Sequence, residues 1–63
     1  MTLEELEAKY GSGMVYDTGQ LQEFFSVEAF SAPMVIVTRK SDNQRGSMEF
    51  QNMPRFYFDF RPA

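Results

Sequence analysis

From Gly46 to Arg61 the chain reads GSMEFQNMPRFYFDFR, with aromatic and polar residues in alternation. Period two is the mark of a half-buried strand, so this run predicts two short strands around a turn at Asn52-Met53-Pro54. In that register Phe56, Phe58 and Phe60 share one face, and Arg55, Tyr57, Asp59 and Arg61 share the other. The return strand is Ser47 to Gln51, with Met48 and Phe50 inward, and Pro62 stops the last strand. Upstream, MVIVTRK from Met34 to Lys40 is β-branched and leads into the turn-forming residues SDNQRG.

The first half of the chain carries helical spacing instead. Thr2 with Glu5 forms a capping box, and Leu3, Leu6 and Tyr10 fall on one stripe, which predicts a helix over residues 3–10. Gly11 and Gly13 end it. Asp17 with Gln20 repeats the capping pattern, and Leu21, Phe24 and Phe25 form the stripe of a second helix over 18–25. Residues 26–31 read equally as helix or strand, because Val27-Glu28-Ala29 favours neither. Pro33 holds Ala32 extended and bounds any helix there. The chain is therefore one α+β domain over residues 1–63. Its two short N-terminal helices pack on one face of a three- or four-stranded antiparallel β-meander. The expected core is Phe56, Phe58 and Phe60 with Val35, Val37 and Phe50, plus parts of Leu6, Leu21 and Phe24.

Composition narrows the chemistry. A chain of 63 residues buries only about 60% of its unfolded surface, so its fold needs a dense core or outside support. Seven Phe and three Tyr supply the core. Cysteine and histidine are both absent, which removes disulfides, thiolate ligands, the thiol nucleophile and the commonest general base. Asp17, Asp42 and Asp59 lack the spacing of a cation loop, DNQRG does not fit the EF-hand pattern, and the lone GSG at residues 11–13 is no dinucleotide fingerprint. The expectation is a non-enzymatic chain with no cofactor and no metal. The acidic start, MTLEELEAKYG, is unlike a signal peptide, and no apolar stretch nears the roughly 20 residues that span a bilayer. A cytoplasmic protein without membrane contact is expected.

Charge is uneven. Residues 1–38 carry six acids and one base, whereas residues 39–63 carry five bases and three acids, for a total of −3. Three elements offer themselves to a partner. They are the acidic helix face of Glu4, Glu5 and Glu7, an open sheet edge that accepts a strand from a partner or a second copy, and the hairpin tip of Arg39, Lys40, Asp42 and Arg45; Arg55, Tyr57 and Arg61 of the last strand are further candidates for partner contact. That strand, as an aromatic edge, also invites pairing with a second copy. RFYFDFR compares with the RNP1 segment of the RNA-recognition motif, which stacks bases on aromatic rings, but lacks its glycines. With Asp42, Glu49 and Asp59 interrupting the basic positions, nucleic acid is not the expected ligand.

A very short, acidic chain, rich in Met and Phe and free of His and Cys, resembles in general character the small accessory proteins of bacteriophages and mobile elements. Many of those bind and inhibit a host protein. The resemblance implies an interaction module that modulates a host protein of unstated identity in the host cytoplasm. The alternatives are a small single-stranded nucleic-acid-binding protein using the basic aromatic strands, and a minor structural subunit of a larger assembly.

Overall fold

A computed structural model describes all residues from Met1 to Ala63. Two helices, α1 (Leu3–Tyr10) and α2 (Thr18–Phe24), precede four strands, β1 (Phe25–Ser31), β2 (Met34–Arg39), β3 (Gln44–Gln51) and β4 (Phe56–Pro62). The strands form one antiparallel sheet in the order β1-β2-β3-β4. No helix is long and apolar enough to cross a membrane.

Both helices start as their sequences dictate. Thr2 Oγ1 accepts from the amide of Glu5 while Glu5 Oε1 accepts from the amide of Thr2, and Asp17 with Gln20 repeats the exchange. Each box satisfies two backbone donors that the first turn leaves free. At the end of α1, Gly11 adopts φ 110°, a conformation that only glycine takes without strain. Helix α2 has no such terminator. Phe25 turns extended at once and opens β1, so residues 26–31 are strand.

The core divides in two, and β4 divides it. Leu21 of α2 packs with Phe25, Val35, Val37, Met48 and Tyr57. Leu6 of α1 packs with Val15 and Phe58, flanked by Tyr10 and Phe56. Consecutive strand residues point to opposite faces, so Tyr57 and Phe58 enter different clusters. The helices thus lie on opposite sides of β4, not together on one face as expected.

The expected register of the last strand also needs correcting. Tyr57 is 2% exposed and Phe58 6%, while Phe56 and Phe60 are only half-buried. The cause is a β-bulge. Ser47 pairs with Arg61 but Glu49 pairs with Phe58, so Asp59 and Phe60 together oppose Met48. Asp59 takes φ 59° at this point, in the left-handed region that Asp tolerates better than most residues. The extra residue reverses the alternation. Phe60 therefore joins the Tyr57 side, and its ring packs against the Leu21 cluster. Opposite it, a Cβ on Gly46 would meet the Arg61 carbonyl and come within 2.8 Å of the Phe60 ring. Glycine is what lets β4 approach so closely. A second bulge, between Val27 and Ala29, sits in β1.

Candidate functional site

The residues singled out from the sequence do not converge. Glu4 and Glu5 are exposed on α1 and Glu7 is half-buried. Glu5 is committed to its cap: the Thr2 amide, then the Thr2 hydroxyl, holds its carboxyl below the ordinary value. Tyr57, expected outward, is a core residue. Its hydroxyl accepts from Arg55 Nη1 at 2.9 Å, and Arg55 Nε donates to Asn52 Oδ1. The Arg55 guanidinium lies 4.8 Å from the Phe50 ring centre, so Arg55 serves as a lid on half-buried aromatics.

Arg39 does the same at the other end of the sheet. It sits 4.9 Å from the Phe60 ring centre and binds Asp42 through Nε and Nη2, at 3.0 and 2.8 Å. The Arg39 guanidinium, followed by the Gln44 amide, holds the Asp42 carboxyl below its ordinary value, and the same bond raises Arg39. Lys40 Nζ donates to the Gln22 carbonyl at the end of α2. Arg39 and Lys40 thereby border an open groove of about 540 Å³, together with Tyr16, Glu23, Phe24 and Phe25. The Tyr16 ring meets Phe25 edge-on at 5.3 Å and Phe24 at 6.1 Å. Arg45 and Arg61 border a second, smaller groove of about 370 Å³ with Ile36, Ser47 and Pro62, where Arg61 is paired with Asp59 at 2.8 Å.

The sheet's two edges differ more than any of these side-chain groups. The outer side of β4 is occupied: Tyr16 and Tyr57 exchange both backbone hydrogen bonds, at 2.9 and 2.8 Å. The bulge at Asp59 and the paired Arg61 protect the remainder. The last strand is an edge, as expected, but Tyr16 closes it to a further strand near its start, at Tyr57. The amide of Phe25, at the start of β1, donates to the Leu21 carbonyl, and beyond it the outer side of β1 carries no backbone partner. Every β1 residue after Phe25 is exposed, including Val27 (40%) and Phe30 (56%), and Phe24 just before it is 49% exposed. Phe24 was expected to contribute to the core, but α2 stops there and the strand carries Phe25 inward in its place.

An open edge was expected at the last strand and not at residues 26–31, because those residues have no clean period. The bulge at Glu28, whose carboxylate accepts from Thr38 Oγ1 at 2.8 Å, interrupts the alternation that would have marked a strand. Comparison with protein families, with curated proteins and with solved structures yields no match for this chain.

Proposed function

We propose that the protein is a small non-enzymatic interaction module that binds an extended protein segment as a fifth strand along β1. The observation that carries this reading is the unpartnered outer side of β1 over residues 26–31, or roughly 20 Å of free ladder. Backbone groups there supply hydrogen bonds, and Val27 and Phe30 supply apolar contact; this is how strand addition combines affinity with specificity. The Tyr16–Phe24–Phe25 groove lies where β1 begins, so a segment running along the edge would pass it. There Lys40, which bonds the Gln22 carbonyl and no carboxylate, favours a partner with an acidic residue next to an apolar one. Such a protein acts by covering or reshaping its partner, which fits an accessory protein that modulates a larger one.

Selection from a random peptide library on the immobilised protein tests the reading. Enriched peptides should alternate apolar residues and shift the amide resonances of residues 25–31. Failure to enrich, or shifts confined to α1 and β4, would refute it.

A further inference from the structure

We propose that the segment best fitted to β1 is β1 of a second copy, paired antiparallel about a two-fold axis at Val27. This deepens the strand-addition reading above and rests on it.

The argument begins with which residues share a face. Directly opposed residues of neighbouring strands point the same way. Phe25 opposes Arg39, Val27 opposes Val37 and Phe30 opposes Val35, so Phe25, Val27 and Phe30 lie on the face that carries buried Val35 and Val37. Ser26 opposes Thr38 and Ala29 opposes Ile36, and Glu28 bonds Thr38, so these three lie on the other face. The bulge makes Glu28 and Ala29 occupy one ladder position. Counted this way, β1 is symmetric about Val27. A two-fold there sets Val27 against Val27 and Ser26 against the Glu28–Ala29 bulge, each with its face matched; Phe25, whose amide donates to the Leu21 carbonyl, bounds the paired stretch.

Charge selects the same arrangement. Glu28 is the one charged residue in β1, and the axis at Val27 places it opposite serine. An axis at Glu28 would oppose two carboxylates and set Val27 against Ala29 on mismatched faces, which is unfavourable on both counts. The strand holds no Lys, Arg or Pro within it, which are the residues that ordinarily block such pairing. Phe30 already meets Phe50 edge-on at 5.6 Å, and at the axis each exposed Val27 would cover its counterpart. Tyr16 closes the far edge of each copy at Tyr57, so pairing stops at a closed dimer of two four-stranded sheets.

The absence of cysteine makes Val27→Cys a clean probe. Oxidised at about 0.5 mM, a concentration suited to the weak association that a small interface gives, V27C should form a disulfide-linked dimer at least tenfold faster than Ser41→Cys in the exposed β2–β3 turn. Sedimentation equilibrium of the unmodified chain at that concentration should give a mass above 7.3 kDa, and Val27→Lys, which places two cations on the axis, should restore the monomer mass without changing the circular dichroism spectrum. A monomer mass for the unmodified chain, or equal oxidation rates for the two cysteine variants, would overturn self-pairing. Library peptides that still shift residues 25–31 would then leave strand addition standing with a different partner. Their failure as well would remove both readings.

Discussion

Tyr57→Ala separates the observed register from the one that simple alternation implies. On an outward face, truncating this residue would change stability by no more than about 0.5 kcal/mol. In the structure Tyr57 is 2% exposed and touches the cluster of Leu21, Phe25, Val35, Val37 and Met48. Removing a buried aromatic of this kind costs roughly 3–5 kcal/mol. A domain of 63 residues has about 3–9 kcal/mol in total, so the variant loses at least about a third of its stability and, at the low end of that range, all of it. Tyr57→Phe isolates the hydroxyl. It leaves the ring in place and deletes only the bond from Arg55, for about 0.5–1.5 kcal/mol. The backbone exchange with Tyr16 survives both changes. Urea titration followed by circular dichroism reads the outcome. With a slope near 1 kcal/mol/M, typical of the smallest domains, Y57A should lower the midpoint by about 3 M or abolish the transition, and Y57F by about 1 M. A Y57A midpoint within about 0.5 M of the parent would refute the division of the core by β4.

Four further outcomes follow from the same structure. Asp59→Val should cost about 1–2 kcal/mol, because a β-branched residue resists the left-handed conformation of the bulge, whereas Asp59→Gly should not; urea midpoints of the pair check this. Gly46→Ala should cost roughly 1–3 kcal/mol by pushing the Phe60 ring and the Arg61 backbone away, read as a lowered melting temperature. Glu5 and Asp42 both titrate lower when folded than their ordinary values of 4.5 and 3.8. Their stabilising contribution is therefore complete above those values and lost as pH falls through the lower folded ones; the urea midpoint should decline below about pH 4 and stay flat between about pH 8 and 6, where no histidine titrates. Fluorescence anisotropy should show no oligonucleotide binding tighter than roughly 10⁻⁴ M at physiological salt, since Arg39, Arg61 and Arg55 are engaged by Asp42, Asp59 and Tyr57.

The sequence by itself determined what local chemistry controls. The two capping boxes place the starts of α1 and α2, because a hydroxyl or carboxylate three residues before its partner can act only there. The glycines after Tyr10 end α1. The β-branched run from Met34 and the turn residues before Gln44 define the central hairpin, and period two puts Val35 and Val37 on one face of it. The tertiary structure decided what depends on contacts distant in the chain. Met48 and Gly46 of β3 set where β4 bulges, and one extra residue at Asp59 moved Tyr57 inward and turned Phe60 about. Arg39 and Arg55 cover rings contributed by other strands, so their role is invisible in local charge patterns. Tyr16, in a segment with no period of its own, closes the far edge of the sheet. β1 is left open because no later segment of the chain returns to it, and strand pairing across such distances leaves no local periodic signal.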